Sequence, residues 1–126
     1  MKKINKMEDF LEVKASSISG LGVFALKEIK KGDTIGEYKG ELLTLKQFEE
    51  RYPIDDSKYV LDIGDGFLLD ARNPDKSNFA RYINSPRGTR KKSNVQFVNK
   101  GSIVALKKIR VNEELLASYG RKYFWR

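Results

Sequence analysis

The final stretch of the chain is Glu113-Glu114-Leu115-Leu116-Ala117-Ser118-Tyr119-Gly120, continued by Arg121-Lys122-Tyr123-Phe124-Trp125-Arg126. A short apolar run thus reaches a Tyr-Gly pair, and a group of adjacent aromatic side chains follows it. Chain termini are usually polar and poorly ordered, whereas aromatic rings bring large apolar areas that need cover. This stretch therefore predicts a docked segment that covers a core edge, a partner or a flat ligand.

The composition limits the chemistry that the protein could perform. The 126 residues include no Cys and no His, which excludes a disulfide scaffold, a thiol nucleophile, an imidazole base and a Cys/His zinc site. A reaction would have to use Tyr, Lys, Ser, Thr, carboxylates or backbone groups. A reaction whose reagent arrives already activated fits this inventory.

The charge of the chain is strongly positive, with 25 Lys and Arg against 17 Asp and Glu. Such a balance favours anionic partners through long-range attraction. The densest basic stretches are residues 87–92 and 107–110. They are read either as a solvated loop and a hairpin rim or as a surface that contacts nucleic acid.

Length and hydropathy indicate one domain without a membrane partner. We expect residues 1–8 to form a mobile arm and residues 9–126 to form a single domain. No apolar run approaches membrane-spanning length, and no signal segment opens the chain. We therefore expect an intracellular protein of the cytoplasm or nucleus.

Short apolar runs separated by glycine-containing turns predict a mostly β fold. Gly64-Asp65-Gly66 and Asn99-Lys100-Gly101 are typical of tight hairpin turns. Thr44 as an N-cap with Gln47 three residues later predicts one helix that ends before Pro53. The predicted strands cover residues 11–14, 23–26, 34–38, 59–63, 67–70, 95–98, 103–106 and, as a strand or an extended tail, 115–119.

Two further segments are ambiguous when taken alone. Gly20-Leu21-Gly22-Val23-Phe24-Ala25 formally satisfies a dinucleotide-binding pattern, but no buried parallel strand precedes it and Gly32 interrupts any helix after it. It is either an ordinary turn or a loop whose missing Cβ allows close approach. Residues 78–84 mix polar and apolar side chains without a period, so burial there requires hydrogen-bond partners for the Asn and Arg side chains.

Taken in order, four motifs resemble those of the SET-domain protein lysine methyltransferases. The resemblance covers residues 10–125, and the aromatic tail is similar to the PR subgroup. The motifs are Ser19-Gly20-Leu21-Gly22-Val23-Phe24-Ala25, Tyr38-Lys39-Gly40, Ala80-Arg81-Tyr82-Ile83-Asn84 and Glu113-Glu114-Leu115-Leu116-Ala117-Ser118-Tyr119-Gly120.

This resemblance implies a β-clip of short curved sheets with one short helix and a knot-like C-terminal segment. That segment threads beside residues 81–84, and the methyl donor and the peptide bind on opposite faces joined by a narrow channel. Tyr119 would be the catalytic residue at the throat of the channel. The S-adenosylmethionine cofactor would contact Gly20, Leu21, Gly22, Arg81, Asn84, Ser85 and Trp125. The substrate lysine would contact Tyr59, Tyr82, Ala117 and Tyr123, and no metal is implied.

The implied chemistry agrees with the residue inventory. The sulfonium already activates the methyl group, so the protein has to supply an aligned, uncharged amine. Free lysine has a pKa of about 10.4, and a dry channel beside a cation lowers that value. Tyr119 would position the amine rather than accept its proton, because a phenol is a poor base at neutral pH.

Departures from the family pattern leave other functions open. Ser85 stands where the family commonly has His, a basic insertion follows at residues 86–92, and a cysteine-rich tail is absent. Ala117 is small where the family often has Phe or Tyr, which predicts room for more than one methyl. The expected partner is a protein with a target lysine, such as a histone, and a homodimer would help to complete the channel. The alternatives are a degenerate SET module that binds peptide or nucleic acid, and an unrelated β-rich nucleic-acid binder.

Overall fold

The computed structural model describes residues 7–54 and 58–119. Short strands dominate these residues, and the single α-helix, α1, spans Leu45–Arg51. Short 3₁₀ turns occur at Met7–Phe10, Pro74–Lys76 and Phe79–Tyr82. The strands are β1 (Leu11–Ala15), β2 (Leu21–Ala25), β3 (Thr34–Glu37), β4 (Glu41–Thr44), β5 (Val60–Gly64), β6 (Phe67–Asp70), β7 (Val95–Val98) and β8 (Ser102–Ala105).

The strands form small antiparallel sheets, which confirms the mostly β prediction. Their orders are β1-β2, β3-β8-β7 and β4-β6-β5. Both predicted hairpins are present, joining β5 to β6 and β7 to β8. Asp65, Asn99 and Lys100 adopt positive φ in the turns, a conformation that tight hairpins require. Seven of the predicted strands agree with the structure to within two residues at their ends, whereas β4 was not predicted and residues 115–119 lie outside the regular strands.

Helix α1 begins with the predicted capping box. The Thr44 hydroxyl accepts from the Gln47 backbone N–H at 3.1 Å, and the Gln47 side chain accepts from the Thr44 N–H at 2.8 Å. Phe48 is buried on the inner face of the helix, against Leu43 and Leu68. The helix thus covers one face of the β4-β6-β5 sheet. Among the described residues, no helix has the length and apolar character needed to cross a bilayer.

A buried ionic cluster fixes α1 to β6. Asp70 is fully buried and accepts hydrogen bonds from the Tyr52 hydroxyl at 2.8 Å, Arg51 Nη1 at 3.0 Å and the Arg72 N–H at 3.0 Å. Arg51 also pairs with Glu41, and this hydrogen bond lowers the pKa of that carboxyl. Burial, followed by the hydrogen bond to Asp70, raises the pKa of Tyr52. The cluster also sets the direction of the chain as it leaves β6.

Residues 113–117 pass through the larger core as an extended segment. On one edge the Leu115 N–H donates to the Val23 carbonyl at 2.8 Å, and the Ala25 N–H donates to the Glu113 carbonyl at 3.0 Å. These bonds attach the segment to β2. The side chains around it form the core, which includes Ile29, Ile35, Val95, Ile103, Ile109 and Leu115.

The other edge of this segment is also hydrogen-bonded. The Ala117 N–H donates to the Asn84 carbonyl at 3.0 Å, and a parallel bridge joins Asn84 to Leu116. The side-chain amide of the buried Asn94 supplies the hydrogen bonds that a neighbouring strand would otherwise make. Its Nδ2 donates to the Glu114 carbonyl, and its Oδ1 accepts from the Leu116 N–H. The C-terminal segment therefore threads beside residues 81–84, as the resemblance implied.

Asn94→Ala is expected to destabilise the protein by about 3 kcal/mol, because it leaves a buried N–H and a buried carbonyl without partners. Gln96→Ala, at an exposed position of the neighbouring strand β7, should change the free energy of unfolding by less than about 0.5 kcal/mol. Denaturant titration of both variants measures the difference. Equal losses in the two variants would contradict the bridging role of Asn94.

Candidate functional site

The Asn84 side chain connects residues 19–25, here called the glycine segment, to the C-terminal segment at Glu114. Its Nδ2 lies 3.1 Å from the Ser19 carbonyl, 3.0 Å from the Leu21 carbonyl and 2.9 Å from Glu114 Oε2. An amide nitrogen carries two hydrogens, so these three acceptors share them. Asn84 thus holds together parts of the molecule that are far apart in the sequence.

Gly22 gives space to the Glu114 carboxylate. Glu114 is almost fully buried, and its Oε1 accepts from the Ser16 hydroxyl at 2.9 Å. A Cβ at Gly22 would overlap the Glu114 carboxylate and would approach Ser16 Cβ to 3.0 Å. Gly20 serves differently, because it has a φ of +45° with no neighbour in its way. The close approach suggested by the glycine pattern is therefore made by a side chain of the same protein.

Tyr119 lies directly beside residues 81–84. Its hydroxyl donates to the Ile83 carbonyl at 2.7 Å. Its ring contacts Phe97 at 5.2 Å and Tyr38 at 6.5 Å between centroids. The Tyr38 hydroxyl in turn donates to the Tyr59 carbonyl at 2.9 Å. These contacts give Tyr119 a fixed, partly buried aromatic setting.

Arg81 connects two of the residues predicted to contact substrate. Its guanidinium lies over the Tyr59 ring at 4.1 Å and over the Tyr82 ring at 4.8 Å. Its nitrogens donate to the carbonyls of Ala71 and Arg72 and to the Tyr82 hydroxyl. Arg81 was predicted to contact the cofactor, but its side chain contacts two of the residues predicted to bind the substrate, Tyr59 and Tyr82.

A cleft of about 500 Å³ opens beside Tyr119. Part of its wall is the basic insertion, which supplies Arg87 and Lys91. The described residues that line it are Ser85, Pro86, Arg87, Gly88, Thr89, Lys91, Ser118 and Tyr119. Among the predicted cofactor residues, Ser85 lies in this cleft, and the neighbouring Asn84 holds the glycine segment.

The structure describes some of the remaining predicted site residues but not others. Ala117 is fully buried and bonded to Asn84, and Leu21 is about half exposed beside the glycines. Tyr123 and Trp125 lie outside the described residues. Sequence reasoning missed Phe97 and the side-chain role of Glu114. The alternation of apolar and polar residues along β7 was a weak signal that Phe97 points inward. Glu114 gave no such signal, because an acidic pair is also typical of an exposed turn.

Residues 20–120 match the family model of the SET domain. The chain belongs to the SET-domain family. This result confirms the resemblance carried by the four motifs.

Relatives of this SET domain include much longer proteins. Histone-lysine N-methyltransferase EZ2 of Zea mays is 32% identical over 123 residues, which are 94% of this chain and 14% of the relative. Histone-lysine N-methyltransferase set-17 of Caenorhabditis elegans is 36% identical over 108 residues, or 83% of this chain and 38% of the relative. Histone-lysine N-methyltransferase CLF of Arabidopsis thaliana is 31% identical over 123 residues and is likewise covered for 14% of its length.

A solved structure has a similar fold. It is a chain of ctPRC2 in an autoinhibited conformation bound to S-adenosylmethionine, with a TM-score of 0.69 and 27% sequence identity. The match covers 88% of this chain and 15% of that chain. The similarity confirms the predicted arrangement of small sheets with one short helix.

The Gly22–Glu114 contact predicts a measurable coupling. Gly22→Ala should cost about 1–3 kcal/mol, as overpacking does in a tight interior. In a Glu114→Ala background its cost should fall by at least about 1 kcal/mol, because the carboxylate that the new methyl would strike is gone. A double-mutant cycle on the free energy of unfolding gives the coupling.

Gly32→Ala is the matched control for this cycle. Gly32 has a positive φ, and no neighbouring atom lies within 4 Å of the place that a Cβ would take. Its replacement should cost the same with and without Glu114. Additivity of Gly22→Ala with Glu114→Ala would show that the contact does not require glycine.

Proposed function

We propose that this SET domain, residues 9–126, transfers methyl groups from S-adenosylmethionine to lysine side chains of a protein substrate, a histone or another basic protein. The observation that carries the proposal is the Tyr119 hydroxyl bonded to the Ile83 carbonyl at 2.7 Å. The Tyr119 ring contacts the Phe97 ring, and Tyr119 also lines the cleft beside Ser85. The names of the relatives support the same activity.

The cleft beside Ser85 has properties that suit the methyl donor. Its volume of about 500 Å³ falls in the range of small-ligand sites. Arg87 and Lys91 in its wall suit a ligand that carries a carboxylate. When bound, the donor supplies an electrophilic methyl group on a sulfonium. Backbone groups of Gly20, Leu21 and Gly22, the residues Asn84 and Ser85, and Trp125 are our candidates for holding it.

The aromatic side of the site suits the lysine. Tyr59, Tyr82 and Ala117 are our candidates for its walls, together with Tyr123. An apolar environment disfavours the ammonium form, so the amine loses its proton more readily there than in water. Because the Tyr119 hydroxyl donates its hydrogen to a carbonyl, the role that we assign to it toward the amine is that of an acceptor. Tyr119 therefore aligns the nitrogen for attack rather than removing a proton.

The degenerate-module hypothesis remains the second candidate, favoured by Ser85 and the basic insertion at residues 86–92. It predicts peptide or nucleic-acid binding without methyl transfer. A nucleic-acid partner and a homodimer are predictions from the sequence that the described residues leave untested. Calorimetric titration with the donor, followed by a transfer assay on core histones, separates the two functions.

Tyr119→Phe is expected to lower the rate of methyl transfer to core histones by about 100-fold, a typical cost of removing one positioning hydrogen-bond group. Donor affinity should be unchanged. Mass spectrometry of the histones measures transfer, and more than one methyl per lysine is expected because Ala117 is small. The matched control is Tyr52→Phe, which removes a phenol hydroxyl bonded to Asp70 and should retain transfer activity, because Asp70 keeps its hydrogen bonds from Arg51 and from the Arg72 N–H.

Two outcomes would contradict the proposal in different ways. Donor binding by the unaltered chain without transfer to any basic protein would favour the degenerate module. Absence of donor binding would reject S-adenosylmethionine as the cofactor. Full activity of Tyr119→Phe would leave the enzyme assignment intact but would remove Tyr119 from its catalytic role.

A further inference from the structure

The guanidinium of Arg81 is held by more partners than a surface arginine needs. Nε donates to the Ala71 carbonyl at 2.8 Å, Nη2 to the Arg72 carbonyl at 3.0 Å and Nη1 to the Tyr82 hydroxyl at 2.8 Å. The rings of Tyr59 and Tyr82 lie 4.1 and 4.8 Å from its Cζ. One planar group thus touches two backbone carbonyls and two aromatic rings.

We propose that Arg81 is a positioning residue on the substrate side, whose guanidinium clamps Tyr59 and Tyr82 as walls of the lysine channel. The clamp rests on the proposed function, because it assigns these two tyrosines to the lysine. It differs from the role implied by the resemblance, in which Arg81 contacts the cofactor. The side-chain contacts carry this assignment, since they lead to the two tyrosines and to the chain that leaves β6.

The geometry requires arginine rather than any cation. Three nitrogens of the planar guanidinium donate to three different acceptors, a pattern that its fixed fork of donors allows. A lysine ammonium has no plane to stack and no fork to span two carbonyls. The charge is retained in Arg81→Lys, but the arrangement is lost. A comparison of the unaltered chain with Arg81→Lys therefore distinguishes a clamp from a simple positive charge.

The clamp is anchored to rigid parts of the molecule. Ala71 is fully buried, and its N–H donates to the Tyr59 carbonyl at 2.8 Å. The Tyr38 hydroxyl donates to that same carbonyl at 2.9 Å. The Arg72 N–H is bonded to the buried Asp70. The walls of the channel are thus connected through Arg81 to the ionic cluster beneath α1.

The hydrogen bond to Tyr82 has a direction. Arginine donates and does not accept, so the Tyr82 oxygen is the acceptor in this contact. The hydroxyl then keeps its own proton for a different partner.

Arg81→Lys tests the clamp. In transfer assays with a histone peptide, it should raise the peptide KM by about tenfold or more, because loosened walls misplace the lysine. The donor dissociation constant, measured by calorimetry, should remain at the value of the unaltered chain. The matched control is Arg110→Lys, at an exposed position, which should leave both quantities unchanged.

The outcomes separate this inference from the proposed function. An unaltered chain that transfers no methyl contradicts the proposed function whatever the variants do. An active chain whose Arg81→Lys variant has an unchanged peptide KM, or only a weakened donor affinity, overturns the clamp alone. If Arg81→Lys does not fold, Tyr82→Phe gives the test, since it removes the acceptor of Nη1 and keeps the ring. A peptide KM raised about threefold supports the clamp, and an unchanged KM overturns it.

Discussion

The fold depends on satisfying the backbone of residues 113–117 inside the protein. Buried N–H and carbonyl groups are costly unless they are paired, and this segment crosses the core without belonging to a regular sheet. Strand β2 pairs with one edge. The Asn84 backbone and the Asn94 side chain pair with the other. Tyr119 follows this segment directly, so the bonds that stabilise the core also hold the phenol at the site.

A second set of contacts supports the opposite side of the site. Asp70 accepts hydrogen bonds from Arg51 and Tyr52 at the end of α1 and from the Arg72 N–H, just after β6. From there, the carbonyls of Ala71 and Arg72 hold Arg81, and Arg81 holds two aromatic rings. The single short helix therefore contributes to the site indirectly, because it buries the carboxylate on which this arrangement is built.

The basic insertion and the glycine segment make different kinds of contact. Arg87 and Lys91 bring positive charge to the cleft beside Ser85. The glycine segment is pulled inward instead, because Gly22 lies against the Glu114 carboxylate and Asn84 holds the Leu21 carbonyl. The glycine segment is therefore shaped by contacts inside the protein, whereas the basic insertion borders the cleft. This arrangement explains how a small domain without Cys or His could organise a reactive site.

The sequence by itself determined the elements whose signals are local: the capping box at Thr44, the hairpin turns, and the four motifs that identify the family. Only the tertiary structure decided that Glu114 fills the space left by Gly22 and that Arg81 faces Tyr59 and Tyr82. Ser16 and Glu114 are bonded across 98 positions of the chain, and such a pair leaves no periodic pattern. Local propensity depends on residues that are close in the sequence. These contacts depend instead on how distant segments pack together, so only the tertiary structure identifies them.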